Sequence, residues 1–137
     1  MILSPADLYA LFLGAGFSPG VEGTAVKMGA IALRESAGDP AAHNLNPATG
    51  DDSWGLTQIN LAVPSIVAFL KQQMPTLPTE LGPALLDPAT NAKAAWILSR
   101  GFAPWAVKDL WFYRDGLQAA ILETAYEVHL PAMQAAV

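Results

Sequence analysis

In the stretch Val21–Leu33, hydrophobic residues fall on both faces of the helix that the stretch would form, which predicts that this helix is buried. At about 100° per residue, Met28 and Ile31 fall on the same face as Glu35, and Val26 falls on the opposite face. A helix that is apolar on both faces is normally buried in the core of a domain. We therefore expect this helix to lie in the core and to end at Glu35.

Glu35 places a carboxyl group in the last turn of this buried helix. Burial disfavours the charged form of a carboxyl group, and the negative end of the helix dipole disfavours it further, so we expect a raised pKa. A carboxyl group that stays protonated near neutral pH is suited to act as a general acid. The alternative is an ordinary helix-end glutamate that faces solvent or pairs with Arg34 or Lys27.

Capping residues, prolines and glycines predict the other elements. The first helix is expected within 1–16, with Ser4 as its cap, Pro5 at its first position and Gly14 and Gly16 at its end. Further helices are expected from Ser18-Pro19 to Glu35, and over 64–73, 87–100 and 115–130, the last of them stopping at Pro131. Residues 37–53 and 74–86 lack a helical period and contain many turn-forming residues, so they predict loops. The whole pattern predicts a mainly α fold of about six helices with at most one hairpin.

The chain of 137 residues is long enough for one core, so we expect residues 1–137 to form a single domain. Hydrophobic residues make up 53% of the chain, which favours a well-filled helical core or a surface that meets other subunits. No apolar run approaches the roughly 18 residues that span a bilayer. The opening segment has no basic region and is interrupted by Asp7, so no secretory signal is expected.

The charged and metal-binding residues exclude several classes of function. The net charge of −5 argues against nucleic acid as a partner. Cysteine is absent, so disulfides are excluded. His43 in a loop and His129 near a helix C-terminus form no cluster with ligand spacing, so neither a metal nor another cofactor is expected. Both histidines are expected to be incidental.

The segment that follows Glu35 carries a second pattern, GDDSWGLTQIN at 50–60. A helix that ends in Glu-Ser and is followed by S-x-G-L-x-Q-I-N resembles the lysozyme-like superfamily, in its soluble lytic transglycosylase and goose-type lysozyme branch. Glu35 matches the catalytic glutamate of that family, and Ser36 matches its usual neighbour. The residues that match the second motif are Ser53, Gly55, Leu56, Gln58, Ile59 and Asn60.

A third segment extends the resemblance to residue 105. Residues 87–91 (DPATN) resemble a D-P-x-x-N helix start, and residues 101–105 (GFAPW) resemble a G-F-x-P-W turn, both found in phage and bacterial members of the group. The A-Y-N-x-G motif of many soluble transglycosylases has no clear counterpart. An aromatic residue at that place would have to come from Tyr113 or Tyr126.

The resemblance implies a lysozyme-like α+β fold with a small β-hairpin beside the cleft. It also implies an enzyme that cleaves the β-1,4 bond between N-acetylmuramic acid and N-acetylglucosamine, with Glu35 used twice and a 1,6-anhydromuramoyl end as product. Asp51 and Asp52 are the candidates for a second carboxylate. If one of them positions a water, the site is that of a hydrolytic lysozyme, and otherwise both are turn residues.

Further motif residues are candidate substrate contacts through hydroxyl groups, amides, indole rings or backbone next to a glycine. They are Ser36, Ser53, Trp54, Gly55, Leu56, Gln58, Asn60 and Trp105. For Gln58 we favour a substrate contact, and for Asn60 we favour a role in capping the next segment. Tryptophan is also common in cores, which is the role expected for Trp96 and Trp111.

Two classes of function follow, both with peptidoglycan glycan strands as the ligand. The first is a phage-encoded enzyme, virion-associated or an endolysin, which reaches the cell wall from a virion or through a holin. The second is a structural virion or tail component that keeps the fold for glycan binding or assembly with other virion proteins. The apolar composition favours assembly contacts, whereas the intact Glu35 and its second motif favour catalysis.

Overall fold

The computed structural model describes residues 1–101 and 126–137. Six helices and three strands have their bounds within these residues. The helices are α1 (Pro5–Ala15), α2 (Thr24–Ser36), α3 (Pro64–Gln73), α4 (Leu81–Ala84), α5 (Pro88–Gly101) and α6 (Leu130–Ala135), and the strands are β1 (His43–Asn46), β2 (Asp51–Trp54) and β3 (Ile59–Asn60). The predicted mainly α architecture with a small hairpin is confirmed.

The first helix, α1, begins and ends where the sequence predicts. The Asp7 N–H donates to Ser4 Oγ at 3.1 Å, and the Ser4 N–H donates to the Asp7 carboxylate at 3.0 Å, so two free donors of the first turn are satisfied. These hydrogen bonds hold the pKa of Asp7 below its ordinary value. The helix stops at Gly16, whose φ of 122° is far more accessible to glycine than to other residues.

The second helix, α2, begins at Thr24, so the predicted start at Ser18-Pro19 is wrong. Ser18 is a capping residue, but it acts from six residues upstream: its Oγ accepts from the Thr24 N–H at 2.9 Å, and its carbonyl accepts from the Ala25 N–H at 3.0 Å. The intervening loop closes tightly on Gly23, where a Cβ would lie 2.3 Å from the Pro19 carbonyl oxygen. The residue type alone does not show whether a serine caps the helix directly after it or one that begins beyond a loop.

The body of α2 is buried on both faces, as its hydrophobic pattern predicts. Its buried residues are Ala25, Val26, Met28, Gly29, Ala30, Ile31 and Ala32. Both α1 and α6 pack against it. Where α6 approaches, a Cβ on Gly29 would lie 2.1 Å from Cε of the fully buried Met133, so the two helices meet more closely than an alanine would allow.

A three-stranded antiparallel sheet follows α2, in the order β1-β2-β3. The predicted hairpin is formed by β1 and β2, which pair His43 opposite Trp54, and β3 adds a strand that the sequence did not predict. Side chains alternate along a strand, so Asp51 and Ser53 point to one face of β2 while Asp52 and Trp54 point to the other. The two neighbouring aspartates are therefore separated by the sheet.

The helices α3 and α5 start at the prolines that predict them, Pro64 and Pro88. Asp87 caps α5, because its Oδ2 accepts from the N–H and the hydroxyl of Thr90 at 3.0 and 2.8 Å. The predicted connector between α3 and α5 contains the short helix α4. Gly82 and Pro83 lower the helix propensity of that segment, so its sequence did not predict a helix.

The predicted helix over 115–130 lies mostly outside the described residues, but its predicted stop at Pro131 is wrong. Residues 126–127 are helical, the chain turns at 128–129, and α6 begins at Leu130 with Pro131 in its first turn. Proline is favoured in a first turn because its missing N–H would have no partner there. Among the described residues, no helix is both long and apolar enough to cross a membrane.

Candidate functional site

Glu35 lies half-buried in the last turn of α2. Burial raises its pKa above the ordinary value, the Arg34 guanidinium opposes the rise, and the Asp51 carboxylate adds to it. The predicted raised pKa is confirmed, with burial as the leading cause. The helix stops directly afterwards at Ala37, which adopts a left-handed φ of 54° and donates its N–H to the Leu33 carbonyl at 2.9 Å.

Ser36, the neighbour of Glu35, turns back onto its own helix. Its hydroxyl donates to the Ala32 carbonyl at 2.9 Å. This hydrogen bond stabilises the helix end that carries Glu35 and uses the hydroxyl proton of Ser36. A contact between Ser36 and a substrate stays a prediction.

Asp51 and Asp52 have different surroundings, although the sequence placed them together as one pair of candidates. Asp51 accepts a hydrogen bond from Thr49 Oγ1 at 2.6 Å and acts electrostatically on Glu35. Asp52 lies 2.7 Å from the imidazole of His43, through Oδ1 and Nε2. Of the two, Asp51 is the carboxylate within electrostatic reach of Glu35.

His43 does not lie in a loop, and it is not incidental to the fold. It is the first residue of β1, it bonds to Asp52, and its ring stacks on Trp54 with centroids 3.5 Å apart and planes inclined by 20°. The sequence HNLN around it is mostly polar and contains one strand-favouring side chain at most, so it did not predict a strand. The predicted position of His43 in a loop is therefore wrong, while its expected lack of a functional role stays a prediction.

The Trp54 side chain packs between His43 of the hairpin and Gly82 of α4. One face of its ring is covered by His43, and a Cβ on Gly82 would lie 2.5 Å from Cε2 and Cζ2 of the indole. The indole Nε1 is buried, and the described residues offer it no hydrogen-bond acceptor. A sugar platform on Trp54 stays a prediction, and the face that stacks on His43 is not open to a ligand.

Asn91 holds the second motif against α5 from within the core. Its side chain is fully buried, and Oδ1 accepts from the N–H and the hydroxyl of Thr57 at 3.1 and 2.7 Å. Its Nδ2 donates to the carbonyls of Trp54 and Leu85 at 2.9 and 3.1 Å. The sequence showed Asn91 only as the last letter of the D-P-x-x-N segment and assigned it no role. The spacing of that segment was the signal in the sequence from which a role for Asn91 could have been predicted.

Gly55 and Leu56 are buried in the same turn. A Cβ on Gly55, which has a φ of 76°, would lie 2.3 Å from both Asn91 Nδ2 and the Leu85 carbonyl oxygen, so packing against Asn91 already explains the glycine. The Leu56 side chain is fully buried in the core. Backbone contacts from these two residues to a sugar stay a prediction.

The amides of Gln58 and Asn60 are both used inside the motif. Gln58 Oε1 accepts from Asn44 Nδ2 at 2.6 Å, while its Nε2 donates to the Gly55 carbonyl at 2.8 Å. Asn60 Oδ1 accepts from the Asp52 N–H at 3.0 Å, and its Nδ2 donates to the Gly50 carbonyl at 3.1 Å. Asn60 thus bonds to the backbone on both sides of residue 51.

The role favoured for Asn60 included capping the next segment, and its Oδ1 does accept from the Ala62 N–H at 3.0 Å. Ser53 is 8% exposed and stands between Asn44 and Asn60 in the sheet. Gln58 and Asn60 thus make hydrogen bonds inside the motif, and Ser53 is buried in the sheet. Their contacts with a substrate stay predictions.

The remaining aromatic residues contribute little to the described site. Trp105, Trp111 and Tyr113 lie outside the described residues, and Tyr126 is 3% exposed within the hydrophobic core. Trp96 is partly buried against the core, as predicted. A separate groove of about 300 Å³ lies between α1 and α5 and is lined by residues such as Gly14 and Lys93, none of them a predicted site residue. No group of His, Asp or Glu suited to a metal occurs in the described part of the chain.

The arrangement around Glu35 supports acid–base chemistry. A carboxyl group with a raised pKa is protonated over a wider pH range than an ordinary glutamate, so it can donate a proton to a leaving oxygen. Once ionised, the same group can accept a proton in a second step. Asp51 is a second acidic group whose charge reaches Glu35 from the neighbouring sheet.

A comparison with protein families agrees with the motifs. A family model described as a lysozyme-like domain matches residues 13–107, a range that contains Glu35, the whole sheet and Asn91. No curated protein and no solved structure gives a significant match. Because the family match spans more than half of the chain and includes both motifs, the protein belongs to the lysozyme-like family, whose members are enzymes of the glycosidase type that act on peptidoglycan at the cell wall.

Proposed function

We propose that this protein is a lytic transglycosylase that cleaves the β-1,4 bond between N-acetylmuramic acid and N-acetylglucosamine. The observation that carries the proposal is the half-buried Glu35 with its raised pKa, at the end of a core helix. Lytic transglycosylases need one carboxyl group that serves first as acid and then as base. The burial and raised pKa of Glu35 support its use for both tasks.

In the first step, the Glu35 carboxyl group donates its proton to the glycosidic oxygen. The bond from that oxygen to the anomeric carbon of the muramoyl residue breaks, and its electron pair leaves with the oxygen. The acetamido group of the substrate stabilises the cationic centre in place of a second carboxylate. In the second step, the C6 hydroxyl attacks the anomeric carbon and passes its proton to the Glu35 carboxylate, which yields the 1,6-anhydro end without consuming water.

The second candidate function is hydrolysis, as in a goose-type muramidase. For that reaction, Asp51 is a better candidate for the base than Asp52. The Asp51 charge acts on Glu35, which supports Asp51 as the carboxylate that would orient a water toward the anomeric carbon. Asp52 is engaged by His43 on the opposite face of β2. If the enzyme hydrolyses the bond, Asp51 is therefore the base that we expect.

Substrate contacts from the motifs fall into two groups. Asp51 and Trp54 are partly exposed residues of β2. The carboxylate of Asp51 and the exposed part of the Trp54 ring are available for contacts with a substrate. The others are proposed to contact sugars through backbone atoms or through unused lone pairs, because their side chains already make internal contacts. They are Ser36, Ser53, Gly55, Leu56, Gln58 and Asn60, with Trp105 as an additional ring.

We also propose a phage origin, as a virion-associated enzyme or an endolysin. The support is the resemblance of the D-P-x-x-N and G-F-x-P-W segments to phage members of the group, and delivery would then be from a virion or through a holin. The competing proposal is a structural virion component that binds glycan without cleaving it. The intact Glu35 and its burial favour the enzyme.

Mass spectrometry of purified peptidoglycan after incubation with the protein separates these possibilities. Anhydromuramoyl ends would support the transglycosylase, and reducing ends that are heavier by one water would replace it with the muramidase. No cleavage by the intact protein would overturn both enzymes and leave the structural component. A Glu35→Gln variant should lose cleavage, while Glu22→Gln, a matched change at an exposed glutamate before α2, should retain it.

A further inference from the structure

Arg34 lies next to Glu35 in the last turn of α2 and is exposed, whereas Glu35 is half-buried. Because the two residues are consecutive in a helix, their side chains leave it about 100° apart and at nearly the same height. An arginine carries its charge at the end of a long stem, with the charged head in water. A glycan strand whose glycosidic oxygen contacts Glu35 therefore passes within reach of the Arg34 guanidinium.

The Arg34 guanidinium has no anionic partner among the described residues. Neither Glu35 nor another carboxylate in that part of the chain forms an ion pair with it. Asp39, in the turn that follows α2, accepts instead from the Ala41 N–H at 2.9 Å through Oδ1. The guanidinium is thus an exposed cation beside the candidate acid, and it is free to bind an anion from outside the protein.

Arg34 also has a structural role that involves no substrate. A cation in the last turn of a helix interacts favourably with the negative end of the helix dipole, and this contribution is small at an exposed position. Lys71 has the same placement, exposed in the last turn of α3, but α3 carries none of the predicted site residues. Comparison of the two residues therefore separates the effect of a helix-end cation from that of a cation beside Glu35.

The proposed substrate carries negative charge next to the bond on which Glu35 would act. A muramoyl residue bears a lactyl group that ends in a carboxyl group, and in peptidoglycan this group is linked by an amide to a stem peptide with free carboxylates of its own. N-acetylglucosamine has no such group. The protein has a net charge of −5, so a cation beside Glu35 would offset the repulsion between the acidic protein and this substrate.

We propose that Arg34 is a substrate-binding residue that recognises a carboxylate of the muramoyl residue or of the peptide attached to it. A guanidinium can donate two parallel N–H groups to one carboxylate, which gives a stronger and more directional contact than a single donor does. The inference rests on the proposed function, because it requires a muramoyl strand across Glu35. It adds a basis for specificity: strands with free carboxylates should bind more tightly than neutral strands of the same sugars.

The test is sedimentation binding to insoluble peptidoglycan in a Glu35→Gln background, which prevents cleavage. Two preparations are compared, one with its natural carboxylates and one in which carbodiimide and ammonia have converted them to amides. Addition of Arg34→Gln should weaken binding to the natural form by about threefold to tenfold and leave binding to the amidated form unchanged. Equal loss on both forms, or no loss on the natural form, would overturn the proposal.

Two further variants are compared in the same background. Lys71→Gln removes an exposed helix-end cation from α3 and should bind both forms as the background does. A loss as large as that in Arg34→Gln would mean that only the total charge of the protein matters, and it would overturn the proposal. Arg34→Lys keeps the charge without the paired donors, so its binding to the natural form should lie between that of the background and that of Arg34→Gln.

A third preparation identifies the source of the carboxylate. An amidase that removes the stem peptides leaves a lactyl carboxylate on each muramoyl residue, and calorimetry measures the binding of the resulting soluble strands. If Arg34→Gln weakens this binding as well, the lactyl carboxylate is sufficient as the ligand. If the effect occurs only on the natural form, the ligand is a carboxylate of the peptide.

Cleavage kinetics separate this proposal from the proposed function. Arg34→Gln should raise KM for natural peptidoglycan more than for the amidated form. It should also raise the pKa of Glu35, because the guanidinium opposes that rise, but this change is common to both forms and cancels in the ratio of their kcat/KM values. If the intact protein cleaves neither form but binding depends on Arg34 and on carboxylates, the enzyme proposal alone fails. If cleavage occurs and Arg34→Gln leaves that ratio unchanged, the role of Arg34 alone fails.

Discussion

Asn91 and Thr57 form a two-fold hydrogen bond inside the core, in which one amide oxygen accepts from both the N–H and the hydroxyl of the threonine. The same asparagine donates to two carbonyl groups from separate turns. It therefore satisfies four polar groups at once, three of them in fully buried hydrogen bonds. This connection fixes the second motif to α5.

Replacement of Asn91 by alanine should destabilise the protein by about 3 kcal/mol, because buried donors and acceptors lose their partner. Chemical denaturation measures the change in the free energy of unfolding. Asn46→Ala is the matched control: Asn46 is exposed and accepts one hydrogen bond at the hairpin turn, so the change should stay within about 0.5 kcal/mol. Equal effects in the two variants would contradict the role of Asn91.

We expect replacement by alanine to have opposite effects on stability at two helical glycines, Gly29 and Gly14. Gly29→Ala in α2 forces the buried Met133 to move, since the new Cβ would lie 2.1 Å from its Cε, and should destabilise by about 1–3 kcal/mol. Gly14→Ala in α1 meets no atom within 4 Å and should stabilise by about 0.5–1 kcal/mol through helix propensity. Thermal unfolding of both variants tests the pair. A stabilised Gly29→Ala would mean that Met133 repacks without loss.

The predictable parts of the fold are those with local causes. The two apolar faces of α2 and the Ser4 cap of α1 lie within a few residues of the structure they produce, and the sequence predicted both correctly. The parts that it missed depend on distant partners. Ser18 caps a helix across a loop, and His43 is a strand residue whose partners lie in β2, with Trp54 opposite it and Asp52 bonded to its imidazole.

The same distinction applies to the candidate site. Glu35 could be proposed as a general acid because its motif and the apolar pattern that buries it both lie close to it in the chain. The separate surroundings of Asp51 and Asp52 follow from strand alternation within a hairpin whose register could not be derived from the sequence. The buried role of Asn91 required contacts with the residues of two other turns.

Glu35 should make stability depend on pH. Its folded pKa is raised, so the folded state binds its proton more tightly than the unfolded chain does. This contribution is fully present below the unfolded pKa and is lost as pH rises through the folded pKa, which lies above 4.5. Glu35→Gln carries no such group, so it should become more stable relative to the intact protein as pH rises from acid to neutral.

Denaturation of Glu35→Gln and the intact protein over that pH range measures the difference. Glu22→Gln, at an exposed position, should track the intact protein throughout. A constant difference between Glu35→Gln and the intact protein at all pH values would show that the pKa of Glu35 is the same in the folded and unfolded states.

Asp51 should contribute to the alkaline limit of activity, which the pKa of Glu35 sets. If protonated Glu35 is the general acid, kcat/KM falls as pH rises through the pKa of Glu35, which the Asp51 charge helps to raise. Asp51→Asn should therefore move the alkaline limb to lower pH. Asp52→Asn is the matched control, because it removes the neighbouring charge and retains an oxygen that can accept from His43. An alkaline limb at the same pH in Asp51→Asn and the intact protein would show that Asp51 does not act on Glu35.

The rate at the optimum of each pH profile then distinguishes the two reactions. A muramidase that uses Asp51 to orient water should lose activity on the order of 100-fold or more in Asp51→Asn, because the attacking group is no longer activated. A transglycosylase, whose nucleophile is the C6 hydroxyl of the substrate, should retain activity within about tenfold, since Asp51 then changes only the acid strength of Glu35. A large loss accompanied by unchanged anhydromuramoyl products would contradict this division, because Asp51 would then be required for a reaction without water.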